Sequence, residues 1–200
     1  MASRTAHAAL IALACVAWQP AAAQRKVTME GTYVHVPARA HFPERVGEFQ
    51  RGDIYQYDPG GRDVSASYNL ATPAGRLLIT VYIYPAAAAA EGARAARCEE
   101  EFGSVNSAIS GQNGNSVPLE QGPAHVAAGA EPGLGHRSVY RFSSPFGDRI
   151  QELRSEAHLY CYVGGDWFVK YRVSAPVAVE SRAAVQAFIR DGPWPGRTSA

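Results

Sequence analysis

The segment Arg76–Tyr84 (RLLITVYIY) restricts the fold more than any other stretch of this 200-residue chain. Its residues are aliphatic, β-branched or aromatic at nearly every position, so both alternating sets are apolar. A half-buried strand alternates apolar with polar residues, whereas a strand apolar on both sets needs cover on both faces. Pro85 ends the run. The chain must therefore build a sheet with this strand well inside it and pack further elements on each side.

The neighbouring segments fit such a sheet. Phe49–Tyr57 is strand-like and stops at the turn cluster Asp58-Pro59-Gly60-Gly61. Asp63–Leu70 puts Val64, Ala66, Tyr68 and Leu70 on one face and Asp63, Ser65, Ser67 and Asn69 on the other. Thr72-Pro73-Ala74-Gly75 turns the chain into Arg76–Tyr84. Upstream, Thr32–Val36 reads as a short strand and Phe42–Gly47 as a turn. A second series follows: His136–Phe142, a turn over Ser143–Asp148, a long strand Arg149–Val163, a tight turn at Gly164-Gly165-Asp166, and Trp167–Val173. In that last hairpin the alternation predicts Leu159, Cys161 and Val163 on one face with Trp167, Val169, Tyr171 and Val173.

Two helices are expected. The first runs from about Ala86 to Ile109, where alanine and Glu/Arg favour helix. Cys98, Phe102, Val105 and Ile109 form its apolar stripe. Glu99, Glu100 and Glu101 flank that stripe, and adjacent helical positions point about 100° apart, so they do not converge on a metal ion. The second helix opens at Pro176, buries Ser181, Ala184, Val185, Phe188 and Ile189, and ends at Gly192-Pro193. Residues 110–135, rich in Gly, Asn and Pro, read as a long connection with a short strand around Val117–Val126. That length points to a functional or a mobile segment. The sum is an α+β fold: an antiparallel β-sheet with two packed helices in meander–helix–meander–helix order, forming one domain over 24–200.

The N-terminus is an address. Arg4 supplies the positive start, Ala8–Trp18 is an apolar run of 11 residues, and Gln19-Pro20 leads to Ala21-Ala22-Ala23. Small residues at −3 and −1 place a signal-peptide cut between Ala23 and Gln24. The run is about half of what a spanning helix needs, and no other run approaches that length, so no transmembrane segment is expected in the mature chain. The destination is the periplasm or the exterior. A lipid-modified Cys15 is a minor alternative, because the preceding Ala12-Leu13-Ala14 sets its leucine out of place.

Locating the charge sharpens the functional reading. The single excess positive charge is Arg4, and 18 basic residues balance 18 acidic ones beyond residue 23. Such a chain lacks the basic excess of a phosphate-driven nucleic-acid binder. Removing Cys15 leaves Cys98 and Cys161, one on a helix stripe and one on a strand. In an oxidising compartment a disulfide is the expected state, with two buried free thiols or redox chemistry as alternatives. There is no CxxC motif.

The element order, together with Asp166–Pro195 (DWFVKYRVSAPVAVESRAAVQAFIRDGPWP), where a hairpin feeds a closing helix, resembles the Mog1/PsbP/DcrB-like group of α+β proteins. The segments His41-Phe42-Pro43 to Arg51 and Ile79–Tyr84 also look like small bacterial proteins of uncharacterised role that carry a signal peptide. The first resemblance implies an accessory or binding protein, since the group shares no catalytic residues, and a fold likeness transfers no site.

No catalytic, cofactor or metal site is expected. His35, His41, His125, His136 and His158 form neither HxxH nor HExxH, and there is no GxSxG, Walker loop or GxGxxG. The candidate binding face is Tyr82, Tyr84, His158, Tyr160, Tyr162, Phe168, Lys170 and Arg172, placed opposite the cysteines. Open, it is an aromatic and basic platform for an envelope protein, peptide or glycan. Covered by the second helix, it is a second core layer. Two functions follow as expectations: an exported, non-enzymatic binding or accessory protein, or a small envelope hydrolase. The hydrolase requires His158 or His136 beside an acid and a Ser or Cys nucleophile.

Overall fold

The computed structural model describes residues 24–124 and 134–197; the leader through Ala23, the signal and Cys15, and also His125, lie outside the described residues. The chain is α+β. Strands β1 (Arg25–Val27), β2 (Tyr33–His35), β3 (Ala40–Phe42), β4 (Arg45–Val46), β5 (Phe49–Gln56), β6 (Val64–Thr72) and β7 (Gly75–Pro85) precede helix α1 (Arg94–Gln112). Strands β8 (Val117–Pro123), β9 (Gly135–Phe146), β10 (Arg149–Val163) and β11 (Trp167–Pro176) follow, and α2 (Arg182–Asp191) closes the fold. One antiparallel sheet runs β1-β5-β6-β7-β11-β10-β9-β8, with β4 also on β5, and β2–β3 forms a separate hairpin.

The β7 strand lies in the middle of this order, between β6 and β11. Its odd-numbered residues Leu77, Ile79, Val81 and Ile83 are fully buried under α2, together with Val64, Ala66 and Tyr68 of β6 and Val169, Tyr171 and Val173 of β11. Val185, Phe188 and Ile189 are the buried side of α2, and Phe188 packs edge-on against Phe49, Tyr68 and Tyr171. The opposite face carries α1, whose stripe of Cys98, Phe102, Val105 and Ile109 is buried as the spacing predicts. It lies over β9 and β10, against Leu159 and Cys161 at one end and Tyr140, Phe142, Leu153 and Ala157 at the other. Cys98 and Cys161 are joined there, with their sulfurs 2.06 Å apart and a sequence separation of 63.

Three boundaries differ from the sequence reading, each through tertiary contacts. Ala86–Ala90 is not helical; Glu91–Ala93 forms one 3₁₀ turn, and α1 starts at Arg94. The Ala86 amide donates to Asp166 O at 2.8 Å, Tyr162 donates to Ala87 O at 3.2 Å, and Ala86 and Ala89 pack on the Cys98 cluster. These contacts hold the segment extended against its alanine propensity. Ser143–Phe146 continues β9 instead of turning, because it pairs with Arg149–Glu152. Pro176 ends β11 rather than opening α2, which begins six residues later at Arg182.

Candidate functional site

The β10–β11 register divides the face expected from sequence. Tyr160 is opposite Val169, but Val163 is opposite Trp167, so β10 uses three steps where β11 uses two. Tyr162 sits in this bulge at φ +56°, in the left-handed region that a non-glycine residue seldom adopts. The extra residue reverses which residues of β10 share a face with β11. His158 and Tyr160 therefore lie on the α2 face, where Tyr160 packs against Tyr171 and Trp194. Tyr82, Tyr84, Phe168, Lys170 and Arg172 lie on the α1 face, the same side as the cysteines and not opposite them. Tyr162, in the bulge itself, joins them, buried beside Phe168. The expected alignment of Leu159 with Val169 and Tyr171 fails for the same reason: Leu159 is opposite Lys170.

The two half-faces have different electrostatics. On the α2 face, Glu156 of β10 is 5% exposed in its side chain and is surrounded by donors. Arg137 reaches it through Nε at 3.1 Å and Nη2 at 3.0 Å, Arg154 Nε lies 3.0 Å away, and His158 Nε2 lies 3.1 Å away. Arg137 also holds Glu120 of β8 at 2.7 Å. Burial alone raises the carboxyl pKa of Glu156, but hydrogen bonding from His158, the charge of Arg137 and a hydrogen bond from Arg154 overcome it and hold it down at about 2. The charges here are mutually satisfied, from the buried Glu156 out to the exposed Glu120.

The α1 face is not satisfied in this way. Its cross-strand rows run Ser65–Tyr82–Lys170–Leu159 and Ser67–Thr80–Arg172–Ala157. Leu159 and Ala157 lie under α1, so Lys170 and Arg172 stand at the foot of the helix. The strip over β6, β7 and β11 lies beside it and is half-exposed. Lys170 Nζ lies 4.4 Å from the centre of the Tyr82 ring and 5.4 Å from that of Tyr84. Tyr82 stacks with Tyr57 at 6.4 Å, and Tyr84 donates to Glu101 of α1 at 2.7 Å.

Among the described residues, no carboxylate comes within ion-pair distance of Lys170 or Arg172, and the buried Nε of Arg172 has no hydrogen-bond partner. Burial lowers the pKa of both groups, and the charge of Arg172 lowers that of Lys170 further; Glu101 and Asp63 offset this only in part. Two adjacent cations held partly out of water with no carboxylate in direct contact are electrostatically costly. A bound anion relieves that cost.

Comparison of the chain with family models, curated proteins and solved structures finds no match in any of the three. The site therefore rests on its own geometry. Among the described residues there is no group of three or more His, Cys, Asp or Glu able to hold a metal ion, and no helix is long and apolar enough to cross a membrane. His136, the other histidine weighed as a base, stacks on Phe102 at 5.0 Å and lies 3.6 Å from Glu99.

Six of the eight side chains of the expected face share one side of the sheet, but the bulge that removes His158 and Tyr160 is not legible in the sequence. Sequence reasoning also missed Tyr57 and Thr80. The period-two pattern of β7 already put Thr80 beside Tyr82, and that signal was available.

Proposed function

We propose that this chain is an exported, non-enzymatic binding or accessory protein of the cell envelope, and that its ligand meets the half-open strip around Tyr82, Lys170 and Arg172. The observation that carries this reading is the pair of partly buried cations with no carboxylate partner, set among tyrosine rings. A structural role for such a pair calls for a counter-charge, as Glu156 has for Arg137; a binding role leaves that place to the ligand. Signal-peptide cleavage after Ala23 delivers the chain to the periplasm or the exterior, with lipid attachment at Cys15 as the minor route. The joined Cys98–Cys161 pair and the lack of a spanning helix among the described residues are compatible with export. The resemblance to the Mog1/PsbP/DcrB-like group supports an accessory role.

Cell fractionation of the full chain against a variant lacking residues 1–23 tests export. Tyr82→Ala tests the face. The expected result is a near-unchanged melting temperature with loss of retention on the envelope fraction. A melting temperature lowered as for a core truncation, with retention intact, overturns the binding face.

One observation favours a second reading, the small envelope hydrolase: His158 lies 3.1 Å from Glu156, an acid–histidine pair. Against it, no described Ser or Cys hydrogen-bonds to His158, and Glu156 is committed to two arginines. Ester hydrolysis lost in His158→Gln would support this alternative.

A further inference from the structure

The β2–β3 hairpin stands apart from the large sheet. It is a sheet of two strands, set in the chain between β1 and β4, which both pair with β5. Alternation divides its sides. Val34 and Val36 face water, at 43% and 74% exposure, while Tyr33, His35, Ala40 and Phe42 turn inward. Arg51 clamps the feet of the hairpin by donating to the carbonyls of Gly31 and Phe42. The tip is held differently. Gly196 of the C-terminal tail donates to Ala38 O at 2.9 Å, and the His35 ring docks between the β5–β6 turn and β11. His35 is fully buried. Its Nε2 lies 2.9 Å from Gly61 O, its ring meets Trp167 edge-on at 5.3 Å, and its Nδ1 is buried with no hydrogen-bond partner.

The docked ring fits one protonation state. With its proton on Nε2, neutral His35 donates to Gly61 O and leaves Nδ1 as a bare acceptor. A second proton puts on Nδ1 both a charge and a donor without an acceptor, out of reach of water. We propose that the β2–β3 hairpin is a pH-sensitive flap, closed over Trp167 while His35 is neutral and released at its tip when His35 takes a proton on Nδ1. The charges on this side, Asp58 and Arg62, both come from the β5–β6 turn. The Asp58 carboxylate accepts the Asp63 amide at 2.8 Å, and the Arg62 guanidinium lies 5.9 Å from the centre of the Trp167 ring. From β11 comes the Trp167 ring and from the tail the Gly196 amide, and neither titrates. Burial pushes the His35 pKa below its ordinary 6.5, and the Gly61 and Arg62 carbonyls and the Asp58 charge offset this only in part. Because the closed state has the lower pKa, its advantage is full above pH 6.5 and declines as pH falls from there toward the closed-state value. Release gives Nδ1 to water and uncovers Trp167 together with the inward side of the hairpin, so the acid form carries an apolar patch that the neutral form hides.

Amide hydrogen exchange of the full, oxidised chain from about pH 8 to about pH 5, corrected for the intrinsic pH dependence of exchange, tests the flap. Below pH 6.5 the protection of residues 33–42 is expected to fall, by at most about tenfold per pH unit because one proton is taken up. The β7 amides are expected to keep theirs, and tryptophan emission to shift to the red over the same range. His35→Gln retains a side-chain donor for Gly61 O but does not titrate, so its protection over 33–42 is expected to stay level. A measurement on the unaltered chain stands beside the variant: its His35 nitrogen signals in NMR are expected to show the Nε2–H form and a titration midpoint below 6.5. The flap is overturned by unchanged protection of residues 33–42 in acid, by an equal fall in His35→Gln, or by a midpoint at or above 6.5. A parallel loss of protection in β7 overturns it too, since the whole sheet then opens and not the hairpin.

Discussion

At the residue scale, burial alone does not decide what a polar side chain does; the presence of a partner does. Tyr171 and Tyr82 are two tyrosines on neighbouring strands. Tyr171 is fully buried and donates to Pro193 O at 2.8 Å, and burial keeps its hydroxyl protonated far above the usual tyrosine range. Tyr82 is half-exposed over the strip. Tyr171→Ala is expected to lower stability by about 3–5 kcal/mol, and Tyr82→Ala by less than about 1.5 kcal/mol, in urea unfolding. Equal losses at the two positions would show that Tyr82 is core. Glu156 makes the matching point for charge. Its carboxyl is held at about 2, against 4.5 for an unperturbed glutamate. Because the folded value is the lower one, its contribution is fully present above pH 4.5 and is lost as pH falls through 2. That contribution is on the order of 3 kcal/mol. Glu156→Gln is expected to flatten the stability–pH curve within that window, and an unchanged slope there would contradict the role given to the network.

At the element scale, α1 is fixed at two levels. Its stripe buries four side chains, and the Cys98–Cys161 bond ties its first turn to β10. Closing a loop of 63 residues stabilises by about 4 kcal/mol on the chain-entropy account. A double Cys98→Ser, Cys161→Ser variant is expected to lose most of that and to exchange the α1 amides faster than those of β7. Unfolding midpoints that match with and without reductant would remove the bond from the account. This stripe was legible in the sequence because side chains at three- and four-residue spacing share a helix face. The start of α1 was not legible. Five alanines favour helix locally, yet Asp166 and Tyr162, 75 or more residues away in sequence, hold that stretch extended. The bulge at Tyr162 was hidden in the same way, since alternation gives the parity of a strand only while its register runs unbroken.

At the scale of the whole molecule, one sheet serves both helices, and each covers a different part of it. All the core clusters share β10, so the halves are expected to unfold together. Trp167 and Trp194 both report on the α2 side. Their fluorescence and the far-ultraviolet circular dichroism should therefore follow one denaturation curve, and separate midpoints would mean that the α1 side unfolds independently. The sequence by itself determined the class of fold, the buried faces of β6 and β11, the helix stripe and the cysteines to be joined. Those properties depend on the period of a single segment or on a count. The tertiary structure alone decided which strands are neighbours, where α1 begins, which face holds His158 and Tyr160, and that Glu156 has its cations while Lys170 and Arg172 lack a carboxylate. Pairing, register and counter-charge are relations between segments far apart in the chain, and no local pattern encodes them.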